Sequence, residues 1–254
     1  MRRSLLVFAI AATASFCLTD IEAHAEGWGN LTGQFVIKGD IPEPTFLPKN
    51  KINKDPAICA VNPIPENEVV IDQETGGVAN VFVYWYGRRG AKPDVHPDLQ
   101  DPPEEPFVFD NQGCVFVPHA AIVRVGQPLK FINSDGCSHN IHTYPLRQQA
   151  DAINDLVSAN ATAEKEPLSG PDILPYPVKC DIHPWMNAFW YVSDHPYAAV
   201  SAKDGTFTIE KLPAGEHTFR LWQEKVGYVE RAYKVTIKDG ETTDIGKFEV
   251  EGLQ

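Results

Sequence analysis

Short runs of alternating apolar and polar residues, broken by Gly, Pro, Asn and Asp, make up most of the chain. Phe35-Val36-Ile37, Val78 to Tyr86, Phe107-Val108-Phe109, Ala121 to Val125, Leu129 to Ile132, Ala188 to Val192, Thr206 to Ile209, Thr218 to Trp222 and Ala232 to Ile237 all carry this period-two pattern, which predicts half-buried strands. Gly76-Gly77, Asp135-Gly136, Asp204-Gly205 and Asp239-Gly240 stand between them as turn signals. Many short strands at this spacing predict an all-β chain of sandwich architecture. Two stretches depart from the pattern. Lys92 to Pro106 holds five prolines and five acids, the composition of an exposed irregular loop. Gln148 to Ala163 lacks β-branched runs and spaces Ala150, Ile153, Leu156 and Val157 at helical intervals, which predicts a short helical insertion between strands.

The hairpin-rich run from Ala199 onward, AKDGTFTIEKLPAGEHTFRLW and then VERAYKVTIKDGETTDIGKFEV, has its own alternating core set in Phe207, Ile209, Leu212, Phe219 and Leu221. Residues 199–254 are therefore expected to be a second, small β-sandwich unit. So few residues bury little core, and a strand borrowed from Thr32 to Lys38 would complete it. Residues 26–105 belong on this reading to one sandwich or the other, and residues 106–198 to the first. At the other end Arg2 and Arg3, the apolar run Ser4 to Leu18 and Ala23-His24-Ala25 have the form of an export signal over residues 1–25. No later stretch has the roughly 20 apolar residues of a membrane helix. An exported protein, periplasmic or at the cell surface, and monomeric, is the expectation.

The formal net charge is -12 and is unchanged by removal of residues 1–25. With no basic cluster seen to interrupt it, an acidic surface argues against a nucleic acid as partner and for a cationic protein. Four cysteines follow the signal: Cys59, Cys114, Cys137 and Cys180. If all are structural they pair in three ways; if one binds a metal, another stays unpaired.

Chemistry concentrates in CDIHPWM, where Cys180, His183 and Met186 put a thiol, an imidazole and a thioether on one loop. A thiolate and two imidazoles in a plane with a weak axial thioether hold copper between the geometries preferred by its two oxidation states, so little rearrangement accompanies transfer of one electron. The loop supplies three such ligands, and the fourth must come from elsewhere. His119, His139 and His142 are the candidates. His139 stands beside Asn140 just after a strand, and strand alternation turns His142 to the opposite face. His195, in DHPY, reads as a turn residue.

Residues 113–192 resemble a cupredoxin, a type 1 blue copper domain of Greek-key β-sandwich fold. The residues that carry the resemblance are SHNIH, VRVGQPLKFINSD over 123–135, and the C-x2-H-P-aromatic-M loop, which is similar to that of amicyanin. The chain also resembles exported bacterial methylamine-utilisation or plastocyanin-like proteins in which such a domain is joined to a carboxypeptidase-regulatory-like β-sandwich; DGTFTIEKLPAG and Gly227-Tyr228 carry that likeness. The first resemblance implies one type 1 copper held by His139, Cys180, His183 and Met186, with Asn140 bracing the loop and His183 as the exposed edge through which electrons leave. Ile182 stands where amicyanin has proline, adding an amide N–H near the sulfur. Cys137 has no counterpart in the simple pattern. With Cys180 assigned to metal, Cys59 and Cys114 are expected to form a disulfide, leaving Cys137 as a small buried residue.

The implied function is single-electron transfer with a redox protein such as a c-type cytochrome or an oxidoreductase, without turnover of a substrate. Two rival readings use the same residues: a copper-handling or copper-sensing surface protein, and a structural surface-binding module with a vestigial site.

Overall fold

The computed structural model describes residues 27–87 and 91–253; the export signal expected over residues 1–25 lies outside them. Among the described residues sixteen strands carry the fold. The first eight are β1 (Trp28–Ile37), β2 (Phe82–Trp85), β3 (Phe107–Asn111), β4 (Phe116–Val117), β5 (Ala120–Arg124), β6 (Leu129–Asn133), β7 (His139–Thr143) and β8 (Asn154–Val157). The remaining eight are β9 (Thr162–Lys165), β10 (Tyr176–Lys179), β11 (Asn187–Ser193), β12 (Ala198–Val200), β13 (Thr206–Pro213), β14 (Gly215–Gln223), β15 (Gly227–Ile237) and β16 (Thr242–Val250). A 3-10 turn, Lys49–Lys51, and a one-turn helix, α1 (Pro56–Cys59), interrupt the long connection from β1 to β2. None of the helices among the described residues is long and apolar enough to cross a membrane.

Strand alternation sorts these elements into two stacked sandwiches. Sheet β4-β3-β6-β9 faces sheet β5-β11-β10-β7-β8 across a core of Phe109, Phe131, Ile141, Val178, Trp190 and Val192. The Trp190 ring lies 4.8 Å from that of Phe109 and 5.3 Å from that of Phe107, both edge-on, the arrangement that ring quadrupoles favour. Sheet β13-β1-β16 faces sheet β12-β2-β14-β15 across a second core of Leu31, Phe35, Val83, Phe207, Phe219 and Leu221. The two inner sheets pack on each other through Phe82, Tyr84, Ala120, Tyr191 and Trp222. Strand β2 is therefore covered on both faces, Val83 turned to one core and Phe82 and Tyr84 to the other layer. The N-terminal strand β1 is the middle strand of its sheet, antiparallel to β13 and parallel to β16.

The region 148–163 is not the helix expected from its spacing. It forms one 3-10 turn, Gln149–Asp151, and then strands β8 and β9. The apolar stripe is too thin to bury a helix, and the free edge of β7 offers backbone partners instead. In that pairing Val157 sits opposite His139 and faces the core, while Leu156 is exposed. Asn160, in the left-handed region at φ 57°, reverses the chain where a helix would have continued.

The link between the sandwiches, Ser193 to Tyr197, contains buried His195. Its Nδ1 accepts a hydrogen bond from the Tyr197 amide at 3.2 Å, a role only the neutral ring can fill. Burial pushes its pKa from 6.5 down to about 4, against the pull of Asp194. The unfolded chain thus takes up a proton first as pH falls, so this contribution is complete above pH 6.5 and is lost towards pH 4. Denaturant titrations at pH 7 and pH 4.5 are expected to differ by about 2–3 kcal/mol more in the parent protein than in His195→Asn.

Candidate metal centre

Strands β10 and β11 form an antiparallel hairpin, with Lys179 opposite Asn187, and the loop Cys180 to Met186 is its turn. Two backbone hydrogen bonds set the loop's shape: the Cys180 amide donates to the Met186 carbonyl at 3.2 Å, and the Met186 amide to the His183 carbonyl at 2.9 Å. Strand β7 is the neighbour of β10, pairing His142 with Lys179, so its first residue, His139, reaches the loop. Asn140 ties the two together. Its side-chain oxygen accepts from the Asp181 amide at 2.7 Å and its nitrogen donates to the Asp181 carboxylate at 2.8 Å.

Three donors converge in the interior. The Cys180 sulfur lies 4.0 Å from His139 Nδ1 and 3.8 Å from His183 Nδ1, and both imidazoles are fully buried. Metal–sulfur and metal–nitrogen bonds of about 2.3 and 2.0 Å meeting at trigonal angles separate S from N by about 3.7 Å. Each sulfur–nitrogen separation is therefore close to the one a thiolate-bound metal would set. Met186, the last residue of the loop, is buried in the same core cluster as Cys180. The amide that reaches the sulfur is that of His183, at 3.4 Å, rather than the additional one of Ile182.

Electrostatics favour the thiolate form of this sulfur. Burial pushes the Cys180 thiol up, but hydrogen bonds from the His139 and His183 rings outweigh it and bring the thiol down to about 6. His139 moves the other way: burial disfavours its charge, while its hydrogen bonds to Asp135 and Cys180 raise its pKa. On each imidazole the nitrogen turned from the sulfur meets a carboxylate: His139 Nε2 donates to Asp135 at 3.0 Å and His183 Nε2 to Asp55 at 2.9 Å. With a carboxylate accepting from Nε2, the proton each ring would give up to a metal is the one on Nδ1, facing the sulfur.

The remaining candidates are placed elsewhere. His142 Nδ1 lies 3.0 Å from the Asp181 carboxylate and 2.9 Å from the Tyr144 hydroxyl, part-exposed. His119 Nε2 meets Glu224 at 3.0 Å. Cys59 and Cys114 are joined by a disulfide. Cys137 is free and buried, and it is closer to the centre than its treatment as a packing residue implied: its sulfur is 3.5 Å from His139 Nε2, and it forms with His139 and His183 a group whose donor atoms lie within 4.8 Å of one another. Its place two residues before His139 was the available signal. Burial first, and then Asp55 and Asp135, push its thiol up to about 11.

The exposed edge implied for His183 is not found. The ring is fully buried, covered by a lasso of the β1–β2 connection that closes through Leu47 N to Ile64 O and Glu66 N to Thr45 O, at 2.9 and 3.0 Å. Asp55, left-handed at φ 43°, precedes α1, and Cys59 at the end of that turn is bonded to Cys114. Trp185 Nε1 donates to the Cys114 carbonyl at 3.1 Å, fastening the ligand loop to the same point. The lasso also carries exposed Lys49, Lys51 and Lys54, so a basic cluster does interrupt the acidic surface inferred from net charge. Removing the carboxylate in Asp55→Ala is expected to weaken copper binding by about 10–100-fold, the range for loss of a partner behind a ligating histidine; competition with a chelator of known affinity measures it.

The chain matches no protein-family model and no curated protein. Among solved structures it is similar to a Cu-containing nitrite reductase from Thermus scotoductus SA-01, at 17% identity and TM-score 0.32 over 40% of this chain and 25% of that one. An oxidised amicyanin variant gives 19% identity and TM-score 0.30 over 35% of this chain and 82% of that one. A purple cupredoxin from Nitrosopumilus maritimus gives 19% identity and TM-score 0.27 over 34% of this chain and 98% of that one. The chain thus spans a quarter of the nitrite reductase.

Proposed function

We propose that this is an exported type 1 copper protein that carries single electrons between redox partners. The observation that carries the reading is the convergence of His139 Nδ1 and His183 Nδ1 on the one sulfur of Cys180, at 4.0 and 3.8 Å, in a buried site. Cys180, His139, His183 and Met186 would hold the copper. When bound, copper supplies a one-electron couple. The chain's own contribution is rigidity. Asn140 locks the loop to β7, Asp135 and Asp55 hold the two imidazoles in one tautomer, and the disulfide keeps the lasso closed, so the donors stay in place when charge changes. Met186 and its packing keep water out. No substrate-binding cleft or general base enters this scheme, and the protein acts as a carrier for a redox protein such as a c-type cytochrome or an oxidoreductase.

Cys137 favours one alternative. A second buried thiol 3.5 Å from His139 Nε2 would suit storage or delivery of Cu(I), which soft sulfur ligands select. Addition of Cu(II) to the copper-free protein separates the two. An intense visible thiolate-to-copper band and a reversible one-electron wave support the electron carrier. A colourless protein that holds only Cu(I) and yields it readily to chelators would sink that reading in favour of copper handling.

A further inference from the structure

The lasso that hides His183 differs from the rest of the surface in charge and in polarity. Phe46 to Val61 contains Lys49, Lys51, Lys54 and Asp55 as its only charged residues, a net +2 in a chain of -12. All three lysines are exposed, and none takes part in an ion pair among the described residues. Asp55 is occupied with the His183 ring at 2.9 Å. Flanking the lysines in sequence are apolar side chains open to solvent: Phe46 at 51%, Ile58 at 37% and Val61 at 68%. Apolar contacts within a charged setting mark a surface for association. The inner residues Ile52, Cys59 and Ile64 are buried in the first core, so the patch rests on a fixed base.

Position gives the patch its meaning. The fully buried ring of His183 meets, on the side away from Cys180, a carboxylate of this same lasso. A partner seated on residues 46–61 is separated from a candidate ligand by one hydrogen-bonded side chain. We propose that the lasso is the docking face for an acidic one-electron redox protein, with the three lysines steering it and Phe46, Ile58 and Val61 making the dry contact. The inference rests on the electron-carrier reading of the site. It replaces the cationic partner expected from net charge, because residues 46–61 carry a charge opposite in sign to that of the whole chain. Steering of this kind raises association rates by about 10- to 1,000-fold at low salt and fades as salt is added.

The test uses the mature chain and two probe proteins, reduced flavodoxin as an acidic one-electron donor and ferrocytochrome c as a basic one. Amide NMR spectra of the copper-free protein are expected to shift over residues 46–61 on addition of flavodoxin and to stay unchanged with cytochrome c. In the copper-loaded protein, the combined variant Lys49→Glu, Lys51→Glu, Lys54→Glu is expected to slow reduction by flavodoxin at least about tenfold at low salt while leaving the visible band in place. The same charge change at a distance, Lys203→Glu, Lys234→Glu, Lys247→Glu, is expected to change the rate less than about twofold. Shifts mapping elsewhere, or equal slowing by the distant set, would overturn the docking face. Failure to load copper would overturn the reading of the site alone, since the spectra of the copper-free protein still locate where the acidic probe binds.

Discussion

Serine at position 180 is expected to abolish the thiolate-to-copper band and to lower copper affinity by more than the 10–100-fold that loss of a supporting residue costs. Oxygen replaces sulfur with little change in volume, and the backbone bonds that shape the loop, from the Cys180 amide to Met186 and from the Met186 amide to His183, do not use the side chain. Asn140 grips the loop through the Asp181 amide, so the fold is expected to survive. The two imidazoles remain, yet the donor that the whole site serves is gone: the rings of His139 and His183 and the His183 amide all converge on this sulfur. The informative companion is Cys137→Ser, in which the band should persist, because that sulfur approaches His139 on the nitrogen already given to Asp135. Visible spectra and copper stoichiometry of both variants measure the contrast.

Replacing Cys59 and Cys114 together by alanine is expected to cost about 4 kcal/mol, the loop-closure entropy of a crosslink spanning 55 residues. The loss should also be felt at the site. Cys59 ends the turn that Asp55 begins, and Cys114 supplies the carbonyl for Trp185; without the bond the lasso keeps its backbone closure, the burial of Ile52 and Ile64 and the hydrogen bond from His183 to Asp55. Denaturant midpoints give the first effect. Faster loss of copper to a chelator, in a variant still folded at pH 7, gives the second.

Where one face of a strand is buried, the alternation of residue types declares it, and the strands at Phe107, Ala121, Leu129 and Ala188 are legible for that reason. Strand β10 hides behind Pro177, and β8 and β9 behind an apolar spacing that suits a helix; the free edges of β7 and β6 explain why they pair, β8 with β7 and β9 with β6. The site divides in the same manner. Cys180, His183 and Met186 are legible because one loop carries them, and His139 because Asn140 beside it has a visible task. Asp55 is not, since 128 residues separate it from His183 and no local pattern announces a contact made by a lasso. The burial of His183 follows from that contact, and so does the placement of three lysines over the candidate metal site of an acidic protein. Net charge, a sum over the chain, carries no information about which face a partner meets.

X-ray absorption at the copper edge of the loaded protein, in both oxidation states, tests the central claim most directly. The account predicts one short copper–sulfur bond and two copper–imidazole bonds that change little on reduction. Two short copper–sulfur bonds, or a shell of nitrogen and oxygen with no sulfur, would contradict it.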